Sequence, residues 1–242
     1  MDNFTDQTLD SIFGGQIGLL QSKRGYRFNV DSVILASEAL QEKGIWLDLG
    51  CGNGIIALIL ALKGRADKVY GLEIQEKLYE CARKNVELNG LQNKVDIILG
   101  DLKKPPKAIK ELRLSGIICN PPYNAAARSN INPDSEKAIA RHEIAASQTD
   151  ILKFAARFLT TGKKLIMIYP APRLAELIEN MRDLSLEPRR LRFLHGNEGE
   201  SAKHFVICAV KEAGTGLEVA PPLVVHEGGE YSAEMQKLLK GN

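Results

Sequence analysis

Four short segments of the sequence combine glycine, acidic, amide and proline residues in a way that suits ligand binding and group transfer. In chain order they are DLGCGNG (48–54), GLEI (71–74), GDL (100–102) and NPPY (120–123). Each of them ends an apolar run that predicts a β-strand. Because the carboxyl ends of parallel strands meet at one edge of a sheet, the four segments predict a single site.

The first segment predicts a tight turn that faces a ligand, between a strand and a helix. This glycine loop consists of Gly50, Cys51, Gly52, Asn53 and Gly54. Its glycines let the backbone turn sharply and approach a ligand closely. The spacing is G-x-G-x-G rather than the G-x-G-x-x-G of dinucleotide-binding loops, and Asp48 precedes it. A carboxylate here suits a cationic group such as an amino-acid ammonium and repels a pyrophosphate. The alternative is a plain strand–helix corner.

Acidic residues end the next two strands. Glu73 lies about 20 residues beyond the glycine loop, the separation at which nucleoside-binding folds hold a ribose. Asp101 can accept a hydrogen bond from an exocyclic amine. Ile74 and Leu102 follow these two residues and belong to the same predicted pocket, as does Asn120 at the end of the fourth strand. The alternative is that each carboxylate caps a helix or lies in a solvated turn. The predicted ligand has an amino-acid end, a ribose and an adenine but no phosphate, which favours S-adenosylmethionine over NAD.

The order and spacing of these segments resemble those of the class I S-adenosylmethionine-dependent methyltransferases of the N6-adenine and N5-glutamine type. NPPY, residues 120–123, is the most specific part of the resemblance. It implies that the acceptor is a planar amide or aniline-like nitrogen, whose lone pair is delocalised into a π system.

The NPPY residues suggest a physical role for each member. The Asn120 side-chain oxygen and the Pro121 carbonyl can each accept a hydrogen from one –NH₂ group. Held in this way, the nitrogen can pyramidalise and turn its lone pair toward a sulfonium methyl. Pro122 stiffens the segment, and Tyr123 offers a face on which a flipped base can stack. The alternative is a Pro-rich turn with Tyr123 in the core.

Segments outside the four motifs resemble a more specific family. They are LLQSKRGYRFNVDSVILA (19–36), ARHE (140–143), YPAPRLAELI (169–178) and the PPL and YSAEM stretches between 221 and 235. Over nearly the whole chain they resemble the bacterial tRNA1(Val) adenine-37 N6-methyltransferase-like family. The resemblance implies a tRNA substrate and places Asp31 near the methionine end of the cofactor. The alternative for Asp31 is the N-cap of the helix predicted at 31–40, for which Ser32 is the other candidate.

Basic and aromatic side chains add modest support for an RNA substrate. The residues predicted to contact substrate are Lys23, Arg24, Arg27, Tyr123, Arg128 and His142. Two further basic clusters lie within 103–113 and 187–192. Phosphate contacts supply most of the non-specific affinity for nucleic acid. The alternatives are solvated basic surfaces and a structural His142–Glu143 pair.

Alternating strands and helices must position these residues. Strands are predicted at 44–50, 68–74, 94–101, 114–120, 163–170, 189–195 and 204–211, and helices at 31–40, 53–64, 75–90, 136–159, 172–184 and 232–241. The pattern predicts an α/β fold with a doubly wound, mostly parallel, Rossmann-like sheet of seven strands, of which the last is antiparallel. Residues 1–43 are predicted to form a hairpin and helix extension, and 44–242 the methyltransferase domain.

Composition sets the remaining expectations. The chain has 242 residues, of which 44% are hydrophobic and 26% charged, and a formal net charge of +2. No apolar run approaches the ~20 residues of a membrane span, so we expect a cytoplasmic protein, monomeric or weakly dimeric, without membrane contact. The four cysteines show no C-x-x-C pair, so we expect reduced, mostly buried thiols and no metal site.

Three other functions compete with RNA adenine methylation. N5-glutamine methylation of a protein uses the same motif, but that family carries a larger N-terminal helical domain than the roughly 43 residues available here. An NAD-dependent oxidoreductase is opposed by the glycine spacing. A non-catalytic RNA-binding module is opposed by the intact NPPY. Methylation of rRNA or of another nucleic acid also remains open.

Overall fold

A computed structural model describes residues 7–23, 29–121 and 146–241 of the chain. The strands are β1 (Gln7–Ile12), β2 (Ile17–Ser22), β3 (Ile45–Leu49), β4 (Lys68–Glu73), β5 (Val95–Leu99), β6 (Leu114–Cys119), β7 (Leu159–Pro170), β8 (Leu186–Asn197), β9 (Ala202–Lys211), β10 (Glu218–Val219), β11 (Leu223–Glu227) and β12 (Glu230–Tyr231). The α-helices are α1 (Val30–Ser37), α2 (Ile55–Lys63), α3 (Glu76–Leu88), α4 (Lys107–Lys110), α5 (Gln148–Phe158), α6 (Leu174–Asp183) and α7 (Ala233–Lys240).

Seven adjacent strands of the main sheet follow the order β5-β4-β3-β6-β7-β9-β8. β9 runs antiparallel to both of its neighbours, as the sequence predicts. The order reverses between β3 and β6, which start the two halves of the sheet. In doubly wound sheets, ligands bind beyond the strand ends at such a reversal. The prediction of an α/β, mostly parallel seven-stranded sheet is therefore confirmed, and its switch point lies where the glycine loop and NPPY begin.

The sheet is wider than predicted at one edge. β11 pairs in parallel with β8, β12 pairs with β11, and β10 pairs with another part of β8. β10 and β12 have two residues each, too few for a periodic pattern to reveal them. Helix α7 follows β12 and buries Met235 against the core.

Helices cover both faces of the sheet. One core cluster joins α1, α2 and α7 to side chains such as Trp46 and Ile118. The other joins α4, α5 and α6 to their strand neighbours Leu47 and Ile117. Adjacent strand residues thus face opposite cores, as the alternation of a strand requires. In the part of the chain that the structure describes, no helix is long and apolar enough to cross a bilayer.

The N-terminal hairpin of β1 and β2 forms a separate sheet that is fastened to helix α3 by two asparagines. Asn89 accepts from the Gly18 N–H (2.9 Å) and donates to its carbonyl (2.8 Å). Asn85 makes the same pair of contacts with Leu20, at 2.7 Å and 3.0 Å. Four helical residues rise about 6.0 Å and two strand residues about 6.6 Å, so the two repeats match. The amides thereby satisfy a strand edge that would otherwise be unpaired.

Helices α1 and α5 have different bounds from those predicted. Helix α1 begins after Asn29, not at Asp31 or Ser32, so the predicted N-cap of either residue is wrong. Both lie inside the helix, where the Asp31 carboxyl accepts from Asn29 and the Ser32 hydroxyl accepts from Asn120. Of the helix predicted at 136–159, the structure describes residues 146–159, where α5 covers Gln148–Phe158 and begins with a capping box of Ser147 and Asp150.

Candidate active site

The glycine loop turns between β3 and α2 with three left-handed backbone conformations. The φ angles are +76° at Gly50, +58° at Gly52 and +84° at Gly54. Residues with a Cβ rarely adopt these values. A Cβ at Gly50 would meet no atom within 4 Å, whereas one at Gly54 would lie 3.2 Å from Ala82. Gly50 therefore borders open space for a ligand, and Gly54 lets helix α3 pack closely.

Glu73 ties the glycine loop to the end of β4. One oxygen of its buried carboxylate accepts from the Gly52 N–H at 2.8 Å, and the other accepts from Ile74 and Gln75 at 3.0 Å and 2.9 Å. Burial raises the pKa of this carboxyl, and the three N–H groups offset part of the effect. Glu73 thus shapes the loop as well as lying where a ribose is predicted.

Asp48 presents a buried carboxyl beneath the glycine loop. Its side chain is 1% exposed, and neither oxygen has a hydrogen-bond partner among the described residues. Burial raises the pKa of Asp48 to about 8. The Ala57 N–H lowers the pKa without forming a hydrogen bond of ordinary geometry, and the Glu73 carboxylate raises it further. Burying a carboxyl group without a hydrogen-bond partner costs free energy, and a cationic ligand group would supply the missing partner.

The adenine end of the predicted pocket is only partly formed as expected. Ile74 is 39% exposed directly after Glu73, so its apolar side chain is open to a ligand. Asp101 accepts from the Lys103 N–H at 2.8 Å, which is the turn-capping role that competed with adenine binding. Its second oxygen leaves room for both roles. Leu102 is half-buried against the core cluster of α4, α5 and α6.

Asn120 follows β6, and its amide contacts helix α1. Its Nδ2 donates to the Ser32 hydroxyl at 3.2 Å, and Ser32 is fully buried. Pro121 is buried beside it. One residue before Ser32, the Asp31 carboxyl accepts from the Asn29 amide at 2.8 Å. Burial raises the pKa of Asp31, while His204 and that hydrogen bond lower it. The start of α1 therefore lies against the first residue of NPPY.

The remaining predicted site residues are less informative. Lys23 is exposed, just after β2. The predictions for Arg24, Arg27, Pro122, Tyr123, Arg128 and His142 lie outside the described residues. Sequence reasoning missed Gln21, Ser32 and Asn85, three buried polar residues that contact predicted site residues. Asn85 and Asn89 at i, i+4 on one helix were the available signal for one of them.

The two basic clusters, 103–113 and 187–192, differ in how available their charged groups are for contact with RNA phosphates. The lysines and arginine of 103–113 are exposed in the connection between β5 and β6; Lys103 and Lys104 lie just beyond the carboxyl end of β5, whereas Arg113 precedes the amino end of β6, at the opposite edge of the sheet. In the other cluster, Arg190 pairs with Glu38, Arg192 pairs with Glu234 at 2.6 Å, and Arg189 donates to the Gly214 carbonyl at 2.6 Å. These guanidiniums hold the C-terminal segment to the sheet, so the 187–192 cluster is a poorer phosphate-binding candidate.

All four cysteines are free thiols. Cys51, Cys81 and Cys119 are buried and Cys208 is half-buried. Burial raises the pKa of each one. The Cys119 thiol donates to the Leu49 carbonyl at 3.1 Å, across the switch point of the sheet. These thiols therefore pack the site rather than act as nucleophiles.

The residues at this sheet edge fit S-adenosylmethionine. The unpartnered Asp48 carboxyl suits its ammonium group, the space above Gly50 admits its amino-acid portion, and Ile74 offers an exposed apolar face to its adenine. The Glu73 carboxylate ends β4, between these two ends of the pocket.

Comparisons with known proteins agree with this description. The methyltransferase small domain family matches residues 27–172. A Porphyromonas gingivalis protein named tRNA1(Val) (adenine(37)-N6)-methyltransferase is 29% identical over 199 residues, 79% of this chain and 76% of its own. A Photobacterium profundum protein of the same name is 23% identical over 220 residues, 89% and 90% of the two chains. A solved Agrobacterium tumefaciens structure, described as a predicted O-methyltransferase, shares the fold: the TM-score is 0.67 at 22% identity, over 87% of this chain and 95% of that one.

Proposed function

The chain belongs to the methyltransferase small domain family and is a class I S-adenosylmethionine-dependent methyltransferase; on that premise, we propose that it methylates the exocyclic N6 of an adenine in structured RNA, with tRNA as the expected substrate class. The observation that carries the proposal is the position of Asn120 and Pro121. They follow β6 at the switch point, and the neighbouring strand β3 runs into the glycine loop.

The bound cofactor supplies an electrophilic methyl on a sulfonium centre. The chain's own residues hold the other reactant. The Asn120 side-chain oxygen and the Pro121 carbonyl accept one hydrogen each from the adenine –NH₂, which fixes the nitrogen and lets its lone pair leave the ring plane. Because both acceptors sit on a stiff segment after a central strand, they need no rearrangement as positive charge develops on the nitrogen.

No general base is required before the transfer. The nitrogen attacks as a neutral –NH₂ group: its bond to the methyl carbon forms as the methyl–sulfur bond breaks and releases S-adenosylhomocysteine, and the nitrogen, now cationic, then sheds a proton. The Asn120 and Pro121 oxygens already hold the hydrogens that become acidic at that moment, so they stabilise the cation through the same contacts. From there the proton passes to solvent.

The nearest rival is N5-glutamine methylation of a protein, since an amide nitrogen presents the same two hydrogens. Lys103 and Lys104 favour RNA, because both are exposed just beyond the carboxyl end of β5, at the edge of the sheet that holds the site. The names of the relatives point the same way.

The decisive experiment measures transfer of a tritiated methyl group to total tRNA, total rRNA and a protein extract, followed by mass spectrometry of the nucleosides. We expect N6-methyladenosine in tRNA. Label confined to protein glutamine would refute the proposal. Asn120→Ala should lower kcat on the order of 10²-fold or more with nearly unchanged affinity for S-adenosylhomocysteine. The exposed Asn93→Ala is the matched control and should be silent.

A further inference from the structure

The catalytic amide poses an orientation problem that a carboxylate would not. A carboxylate accepts hydrogen bonds at both oxygens, but an asparagine amide accepts at one end and donates at the other. If Asn120 turned its nitrogen toward the substrate, two –NH₂ groups would face each other and no hydrogen bond would form. The proposed reaction therefore requires a contact that holds the amide with its oxygen, and not its nitrogen, toward the substrate.

Ser32 is in position to make that contact. Its hydroxyl oxygen lies 3.2 Å from the Asn120 Nδ2, and the residue has no exposed surface. The hydroxyl sits in the first turn of α1, where the Ser32 N–H also donates to the Asn29 carbonyl at 3.2 Å. Helix α1 packs through Val33, Ile34 and Leu35 into the core, so the hydroxyl has a fixed place.

We propose that Ser32 is a positioning residue that accepts a hydrogen bond from the Asn120 amide nitrogen and so directs the amide oxygen toward the acceptor –NH₂. This inference rests on the proposed methyl transfer to a nitrogen. It assigns α1 a part in the chemistry: the extension that precedes the core strands supplies the contact that fixes the orientation of the first residue of NPPY.

The kinetic test compares two serines of the same helix. Ser32→Ala removes the contact and suits a helix interior, so the variant should fold. We expect its kcat to fall on the order of tenfold, with an unchanged KM for S-adenosylmethionine, because the lost hydrogen bond biases the amide rather than the cofactor site. Ser37→Ala is the control: its hydroxyl donates to Ile34 within the helix, at 2.6 Å, and its loss should leave kcat unchanged. An unchanged kcat in Ser32→Ala would overturn the inference.

A carboxylate in place of the Asn120 amide should make the enzyme less sensitive to the loss of the Ser32 hydroxyl. In an Asn120→Asp background the side chain has two equivalent acceptor oxygens, so adding Ser32→Ala should cost much less than it does in the wild type. An equal loss in both backgrounds would show that Ser32 acts on packing rather than on amide orientation.

Nuclear magnetic resonance tests the contact without any turnover. The Asn120 side-chain NH₂ signals can be assigned by their loss in Asn120→Asp. In Ser32→Ala we expect these signals to shift and their hydrogen exchange to accelerate on the order of tenfold. If they do not move, the inference fails even where the enzyme methylates RNA. If they move while no substrate of any class is methylated, the proposed function fails and the contact stands.

Discussion

Asn85 offers the sharpest test of how the hairpin and the cofactor site depend on each other. Its fully buried amide accepts from the Leu20 N–H and donates to two carbonyls, those of Leu20 and of Asn53 in the glycine loop, the latter at 3.0 Å. Gln21 reaches Asn53 as well, at 3.3 Å. One side chain thus joins the hairpin, α3 and the loop.

The cost of Asn85→Ala can be worked from these contacts. The Leu20 N–H would lose its partner in a half-buried position, which costs toward the lower end of about 1–3 kcal/mol. The Leu20 carbonyl would keep the Cys81 thiol as a weak donor at 3.2 Å, and the Asn53 carbonyl would lose its amide donor. The sum is a loss of about 2–4 kcal/mol in the free energy of unfolding. If about 1–2 kcal/mol of this loss reflects a less ordered glycine loop, the affinity for the cofactor drops about 5- to 30-fold.

Asn89→Ala is the matched control. Asn89 also makes three amide contacts, with both Gly18 backbone groups and with the Asn85 carbonyl, but none with the glycine loop. Urea unfolding should show a loss of stability in both variants. Calorimetry with S-adenosylhomocysteine, at a temperature where both are folded, should show weaker binding only in Asn85→Ala. Equal affinities in the two variants would refute the coupling.

Three further predictions concern other parts of the structure. Burial holds the pKa of Asp48 near 8 against 3.8 for an ordinary side chain, so its contribution to stability is present at low pH and lost as pH rises from about 4 to about 8. Asp48→Asn should weaken that dependence in urea unfolding and raise stability at pH 8.5, yet bind cofactor more weakly; a parallel pH profile would contradict this. Glu73→Gln cannot accept all three N–H groups, so KM for S-adenosylmethionine should rise on the order of tenfold, and an unchanged KM would remove Glu73 from the pocket. A Cβ at Gly116 would lie 2.3 Å from the Trp46 ring, so Gly116→Ala should cost about 1–3 kcal/mol, whereas Gly214→Ala, with no atom within 4 Å, should cost almost nothing; equal unfolding midpoints would contradict this.

The main strands and the glycine loop could be predicted because their signals are local. An apolar run marks each central strand, and the positive φ angles of Gly50, Gly52 and Gly54 restrict those positions to glycine. The carboxyl ends of adjacent parallel strands then meet by geometry alone. Glu73 could be placed on that ground, although its bond to the Gly52 N–H could not be foreseen.

The contacts that escaped prediction all join segments far apart in the chain. Asp31 and Ser32 suit a helix N-cap by residue type, but Asp31 interacts electrostatically with His204, and Ser32 accepts a hydrogen bond from Asn120. Asn85 lies on the apolar side of an amphipathic helix, where a sequence pattern records only an interruption. The role of Asn85 depends on how α3 and β2 align with each other, and no local sequence pattern records that alignment.

The buried thiols have a practical consequence for testing the proposed contact with RNA. With its pKa raised to about 11, Cys208 is ionised in roughly one molecule in ten thousand at neutral pH, and the three buried cysteines are shielded from reagents. The natural chain can therefore serve as a silent background for maleimide chemistry. A single cysteine introduced at Lys23 or Lys104, both exposed, would carry a photo-crosslinker to bound nucleic acid without prior removal of any native sulfur.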